Sequence, residues 1–456
     1  MSDVVAALSA EFDSKSLLTG EDVSSRAAGI WRSDVIQAKA IVRPEDTDGV
    51  AKAMAICHAH DQRIVAHGGL TGLVEGGLTT PDDVVISLER LNKIEEINAV
   101  DRTMTVQSGC ILQTVQEAAE AEDLFFPLDL GGRGSCTIGG NISTNAGGNR
   151  VIRYGMARDM VLGLEAVLAD GTVVSSLNKM IKNNAGYDLK QLFVGTEGSL
   201  GIVTRAVLRL REKARHQSTV LVAVSEFQKL PQLLKYLGTE LGGTLSAFEV
   251  MWNNFYTLVT TDPSPCKAPL DQSYPYYVLI EAMGTKTEDM EIALAAALED
   301  ELVVDAVIAQ SEGQRLDLWA LRDSVEQCFR YGPTFSFDVS LKISDMEAYV
   351  AKVNAGLESE FNELHNFTFG HMGDGNLHFV VSVGEKADDC RKKVEAMVYG
   401  PLADINGSVS AEHGVGLEKK PYLEISRSKT EIDLMRLLKK SLDPKGLLNP
   451  GKIFDM

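Results

Sequence analysis

Short apolar runs alternate with helically spaced stretches along most of the 456-residue chain. In EDTDGVAKAMAICHAHD, Val50, Ala53, Met54 and Cys57 fall at helical spacing, with Asp46 or Thr47 as N-cap. This stretch lies between the apolar runs AKAIVRP and QRIVAHGG, so a strand–helix–strand unit ending in glycines is predicted. Further strands are predicted in DDVVISLERL and TMTVQSGC, and a helix in ILQTVQEAAEAED. LGLEAVLADGTVVSSL reads as a hairpin, with Asp170-Gly171 as its two-residue turn. GIVTRAVLRLREKAR is a strand that ends in charge, which places a boundary near residue 213. Beyond it the strands STVLVAVS, YYVLIEAM, VVDAVIAQ and TFSFDVSL each precede a helix, which predicts a sheet with helices on one face. The remainder, from about Pro401, reads as mostly helical.

Composition narrows the class. Hydrophobic residues make up 45% and charged residues 24%, the profile of a globular protein with ample core. The net charge of −20, from 64 acidic and 44 basic residues, argues against nucleic acid as a partner, because phosphate recognition needs a basic face. A small anionic substrate is allowed if a local positive pocket receives it. The N-terminal MSDVVAALSAEFDSKS has no basic region before its apolar run and does not read as a secretory signal, and no apolar run is long enough for a transmembrane helix. The six cysteines are scattered without a C-x-x-C pair, which points to a reducing, cytoplasmic setting.

The 40 glycines cluster in AHGGLTGLVEGG (66–77), GGRGSCTIGGNISTNAGG (131–148) and GTEGSLG (195–201). Glycine lets backbone N–H groups approach phosphate oxygens, and the interleaved Ser, Thr and Asn add polar partners. Three such loops suggest a large, multi-phosphate cofactor. None completes the G-x-G-x-x-G dinucleotide fingerprint, and in GLLNPGKI the residue Ile453 stands where a phosphate loop needs Ser or Thr.

FTFGHMGDGNLHFVV carries two of the eight histidines, His371 and His378, around a glycine turn. If Asp374-Gly375 forms a type I′ turn, the two histidines face each other across the strands, about 4.5–5.5 Å apart at Cβ. That separation suits a shared metal ion. SAEHGVG supplies Glu412 as a candidate third ligand, with His413 beside it. On the residues alone, a structural hairpin pair remains the alternative, and His413 reads equally as a packing histidine.

IVAHGGLTGLVEGG, FPLDLGGRGSCTIGGNISTNAGGNRVIRYG and GYDLKQLFVGTEGSLGIVT resemble the FAD-binding domain of the vanillyl-alcohol-oxidase-type flavoproteins. With GHMGDGNLH, SAEHGVG and LDPKGLLNPGKIF, the resemblance extends over nearly the whole chain. It is nearest to the D-2-hydroxyglutarate dehydrogenase group, with D-lactate dehydrogenase and the glycolate oxidase flavin subunit as relatives. The resemblance implies an α+β fold: a two-subdomain FAD-binding domain over 1–212, an α/β cap domain with an antiparallel sheet over 213–400, and a helical segment, 401–456, that completes the active site. The cofactor-binding set it implies begins with His67, Gly68, Gly69, Leu70, Thr71, Gly72 and Leu73, then Pro127, Gly134, Ser135, Cys136, Gly139, Gly140, Asn141, Ser143, Thr144, Gly147, Gly148, Tyr154 and Gly155. Glu197, Gly198, Gly201, Ile202, Val203 and Asn449 complete it. Some relatives attach FAD through a histidine directly after the paired glycines. Leu70 holds that position here, so non-covalent FAD is expected.

By the same resemblance, His371, His378 and Glu412 bind a divalent metal, zinc with manganese as the alternative. His413 is the general base, suited to it because imidazole titrates near neutral pH. Arg322 grips the substrate carboxylate, and Asn376 holds the turn or touches substrate. The implied activity is oxidation of a D-2-hydroxy acid to the 2-oxo acid. Electrons pass to an acceptor such as an electron-transfer flavoprotein or a quinone, and the assembly admits a homodimer. A D-lactate dehydrogenase, or a glycolate-oxidase-type flavin subunit passing electrons to partner proteins, is the alternative. The substrate wall departs from the hydroxyglutarate pattern: Glu326 replaces Thr, Ser336 replaces Lys and Val380 replaces Asn. Losing a cation and gaining a carboxylate should disfavour a second substrate charge.

Overall fold

The computed structural model describes residues 3–30, 32–384 and 387–456. They form two compact units. One comprises the chain up to Gly147, Gly155–Lys213 and Glu412–Met456; the other comprises Gly148–Tyr154 and Ala214–Ala411.

The first unit holds a four-stranded sheet in which Ala40–Val42 and Ile64–His67 flank Val84–Ser87 in parallel, and Leu17–Leu18 pairs antiparallel at the edge. Helix Thr47–Ala59 connects two of these strands, and its N-cap is Asp46, which accepts from Gly49 N at 2.8 Å. Val50, Ala53, Met54 and Cys57 are its buried stripe, packed on Val42, Ile64 and Val84. A second, five-stranded antiparallel sheet runs in the order Ile94–Asn98, Thr103–Gln107, Ile202–Arg209, Val161–Val167 and Val173–Ser176. The hairpin around Asp170-Gly171 is present, but its turn is longer than the expected two residues. The last pair is Val167↔Val173, and Leu168 N bonds Thr172 O at 2.9 Å, with Gly171 at φ +92°. A turn closed by a left-handed glycine accommodates the extra residue.

The C-terminal segment is less helical than its apolar spacing suggests. Its one long helix is Lys429–Leu442, opened by a Ser428–Glu431 capping box, and only short helical turns precede it. Lys439 is buried and donates to Ser199 O, Asp443 Oδ2 and Leu448 O at 2.8, 2.6 and 2.6 Å. It ties this helix to the third glycine loop. The tail then adds to the parallel sheet: Ile64 N donates to Leu447 O, and Asn449 N donates to Ile64 O.

The second unit is built on a seven-stranded antiparallel sheet. Its strands are β1 (Gln217–Val224), β2 (Leu245–Trp252), β3 (Tyr276–Met283), β4 (Asp305–Ile308), β5 (Phe335–Ser340), β6 (His365–His371) and β7 (Asn376–Ser382), in the order β4-β1-β3-β2-β6-β7-β5. Every residue of β7 is buried. The reason is that helices cover both faces rather than the one expected. Leu318, Trp319 and Leu321, from helix α1 (Glu312–Asp323), pack with Phe367, Phe369 and Val380. On the opposite face, Tyr349 and Tyr399, from α2 (Met346–Glu360) and α3 (Asp388–Tyr399), meet Phe379 and Phe337 edge-on.

Candidate functional site

Asp338, His378 and Phe369 form one row across β5, β7 and β6, because Asp338 pairs with His378 and His378 with Phe369. The expected direct pairing of His371 with His378 is therefore not formed. In place of a two-residue turn, Met372–Asp374 makes a 3-10 turn, and the register slips by two residues. A slip of two preserves the face. His371 and His378 remain on the same side, with ring centroids 5.3 Å apart at an interplanar angle of 81°.

His371 instead lies opposite Glu249 of β2. Its Nδ1 is 2.8 Å from Glu249 Oε1, and its Nε2 is 3.4 Å from an Arg322 guanidinium nitrogen. Arg322 Nε donates to Glu249 Oε2 at 2.9 Å, and the guanidinium lies 4.8 Å from the Phe369 ring centroid. All three polar groups are buried. Burial pushes the Glu249 carboxyl up, but His371 and Arg322 outweigh it and hold the group below the ordinary carboxylate range. Glu249 is a member of this buried cluster that sequence reasoning missed. Its signal was available: it is the single charge in the otherwise apolar or small run LSAFEVMW.

Asp338, fully buried, is a further carboxylate of this face. Asn376 Nδ2 donates to Asp338 Oδ1 at 2.8 Å and to Val339 O at 3.0 Å, so Asn376 orients a carboxylate. Ala411 N donates to Asp338 Oδ2 at 3.1 Å. Just before it, Ser408 exchanges two backbone hydrogen bonds with Ser340 at the end of β5. The segment 408–411 is thus an edge extension of the sheet, and its next two residues are Glu412 and His413. Ligand-capable atoms of Asp338 and His378 lie within 4.8 Å of one another. Glu412 Oε1 and His413 Nε2 are 3.8 Å apart.

Within the first unit, the glycine loops meet backbone to backbone. A Cβ on Gly69 would lie 2.2 Å from Ser135 O and 3.0 Å from Cys136 Cα; one on Gly68 would lie 2.7 Å from Thr137 Oγ1. Asn141 Nδ2 and Ser108 Oγ are buried with no hydrogen-bond partner. Ser108 packs under Gly139, where a Cβ would meet its Cβ at 2.6 Å. Orphaned polar atoms beside two glycine-rich loops fit a bulky polar cofactor. His67 is buried against Gly77 O at 2.8 Å, and burial pushes its imidazole down to about 4. The predicted set does not all gather here. Gly148 and Tyr154 belong to the segment grouped with the second unit, where Arg150 pairs with the fully buried Glu281 at 3.1 Å. Gly201 packs against the Phe193 ring, and the Glu197 carboxylate faces the 414–416 loop. Gly69→Ala is expected to force these loops apart and to abolish flavin retention through gel filtration, read as the flavin-to-protein absorbance ratio. Unchanged retention would remove the backbone contact from the cofactor site.

The three departing positions separate. Glu326 and Ser336 are exposed, whereas Val380 is buried in the apolar cluster. By register, Phe367, Val380 and Ser336 form the row beyond Phe369, His378 and Asp338, and this row carries no charged side chain.

Residues 38–176 match the family described as FAD binding domain, and residues 213–453 match FAD linked oxidases, C-terminal domain. The chain is 40% identical over 425 residues to D-2-hydroxyglutarate dehydrogenase of Xanthomonas citri pv. viticola, covering 91% of this chain and 89% of that one. It is 37% identical over 421 residues to the mitochondrial D-2-hydroxyglutarate dehydrogenase of Arabidopsis thaliana, covering 91% and 75%. Among solved structures, alkyldihydroxyacetonephosphate synthase matches with a TM-score of 0.78 at 16% identity, over 99% of this chain and 84% of that one. At that identity the likeness shows the fold.

Proposed function

The chain belongs to the FAD-linked oxidases of the vanillyl-alcohol-oxidase type, in the D-2-hydroxyglutarate dehydrogenase group, and we propose from that premise how its residues serve an FAD-dependent D-2-hydroxy acid dehydrogenase. The glycine loops at 66–72 and 131–148 would hold FAD without a covalent bond, since Leu70 replaces the attachment histidine and His67 is committed to Gly77. Bound FAD supplies the acceptor for the hydride that leaves substrate C2. Arg322 takes the substrate carboxylate with the N–H groups of its planar fork, and Glu249 and His371 fix that fork from behind. His413 takes the hydroxyl proton. The 2-oxo acid leaves, and the electrons go on to an electron-transfer flavoprotein or a quinone.

The donor set also fits a divalent cation, zinc or manganese. By the resemblance, His378 and Glu412 would hold it; within the second unit, Asp338 is an additional carboxylate beside His378. Such an ion lowers the pKa of a bound hydroxyl. His371, from the expected ligand set, would have to give up its Arg322 contact to join. The observation that carries the reading is the buried Arg322–Glu249–His371 cluster on the same sheet face as His378 and Asp338. Among the described residues no helix is long and apolar enough to cross a membrane, and the six cysteines are free thiols.

The test is dye-linked reduction across D- and L-2-hydroxy acids, before and after chelator treatment. D-acids are expected to reduce the dye and their L-enantiomers not to, and chelator is expected to remove activity that added zinc or manganese restores. Ser336 in place of Lys and Glu326 in place of Thr lead us to expect monocarboxylates with apolar tails above D-2-hydroxyglutarate. A protein silent to every D-acid would sink the reading. Activity indifferent to chelator would sink the metal, and preference for the dicarboxylate would sink the assignment of the tail.

A further inference from the structure

Glu197 has an unusual conformation and an unusual position. Its φ is +51°, the left-handed region that costs a non-glycine residue free energy unless its surroundings impose it. They do impose it: Glu197 N donates to Ser143 O at 2.7 Å, and Asn449 Nδ2 donates to Glu197 O at 2.6 Å. Asn449 is held in turn by Ala66 N, which donates to its Oδ1 at 3.0 Å. The result is a carboxylate aimed at the loop that follows Glu412 and His413. Val415 N donates to Glu197 Oε1 at 2.6 Å, and Gly416 N donates to Oε2 at 2.9 Å.

The loop is fitted to this grip. Gly414 has φ +86°, and a Cβ on it would lie 2.9 Å from Glu197 Oε1. Gly416 has φ +53°, and a Cβ there would lie 1.9 Å from Val74 O, the carbonyl that accepts from Leu417 N at 3.0 Å. Ile453 N donates to Gly416 O at 2.9 Å. The segment is therefore gripped by the third glycine loop, by the end of the first and by the C-terminal tail. Of these contacts, only the one from Glu197 is made by a side chain. Its carboxyl is raised above the ordinary range by burial, against the lowering effect of the two amides it accepts from.

We infer that Glu197 is a positioning residue of the reaction: it couples the third glycine loop to the segment bearing Glu412 and His413 and sets where the His413 imidazole stands. This rests on the role proposed above for His413. Two N–H groups converge on one carboxylate, and a glutamine of the same shape offers one acceptor and one donor, so the isosteric change turns one of the two bonds into a repulsive contact.

The experiment uses the flavin-loaded enzyme and normalises every rate to bound flavin. Glu197→Gln is expected to lower the rate of flavin bleaching by substrate in single turnover by about 30-fold, with KM changed by less than about 3-fold, because a misplacement of about 1 Å costs on the order of 10² in rate. Gly414→Ala disturbs the same contact from the loop side and is expected to have a similar effect. The double variant should be no slower than the worse single variant, as for residues acting through one contact. A C2-deuterated substrate should show a larger isotope effect in both variants than in the parent if the parent's chemical step is partly masked. A merely structural glutamate would lower the melting temperature or flavin content and leave the bleaching rate per flavin within 2-fold of the parent; that result, or additive effects in the double variant, overturns the inference. If His413→Asn also bleaches at the parent rate, it is the role of His413 that fails.

Discussion

Arg322→Met is expected to destabilise the protein by about 3–5 kcal/mol, because it leaves the Glu249 carboxylate buried without its cation. The contact over Phe369 goes with it. Glu249 would keep only the His371 ring among the partners described above. Catalytic efficiency should fall by about 10² or more, since truncating one side of a buried, hydrogen-bonded charge pair costs several kcal/mol in recognition. Stability and recognition separate in a double variant. Glu249→Gln with Arg322→Met removes both buried charges, and such replacement is often near neutral. Thermal unfolding should therefore recover most of its midpoint while kcat/KM stays low. If efficiency recovers along with stability, Arg322 is a structural cation and the substrate carboxylate binds elsewhere. Arg322→Lys should fall between, because an ammonium keeps the charge but loses the planar fork that reaches Glu249 and His371 together.

The second large effect is expected at His413. His413→Asn should lower kcat by about 10²–10⁴-fold, the usual contribution of a positioned general base, with flavin content unchanged. The imidazole is close to the surface of its unit, 22% exposed, and its Nε2 stands 3.8 Å from Glu412. Losing the side chain should therefore cost little stability. The measurement is the rate of flavin bleaching in single turnover, compared with the melting temperature of the same preparation. A rate within 10-fold of the parent would move the proton to another group. His378→Asn is the natural companion, and on the metal-binding role proposed above the loss there should track metal content.

Much of this was legible in the chain because it is local. Asp46 caps its helix because a side-chain oxygen three residues ahead of an amide is a local relation. The glycine loops announced themselves by composition, and the contacts at Gly68 and Gly69 give the reason: a Cβ would strike the other loop. His371 and His378 were placed on one face by the two-residue period of strands, and that survived even though the turn was read one way and folds another.

What the sequence could not supply is which distant strand comes alongside. Glu249 meets His371 from 122 positions away because β2 pairs with β6, an order that no local pattern encodes. Helices cover both faces of that sheet, which turns Val380 from a wall residue of undecided surroundings into part of an apolar core. Glu197 is the sharpest case. As a residue of a glycine-rich loop it reads as part of the cofactor site. Only the fold brings the Val415 and Gly416 amides, 218 and 219 positions later, onto its two oxygens. Most strands and helices, the glycine loops and the chemistry of the donor groups were readable from the chain alone, because these follow from propensity, period and residue type. The tertiary structure decided the partners, because pairing between strands and loops far apart in the chain is settled by how whole surfaces bury one another.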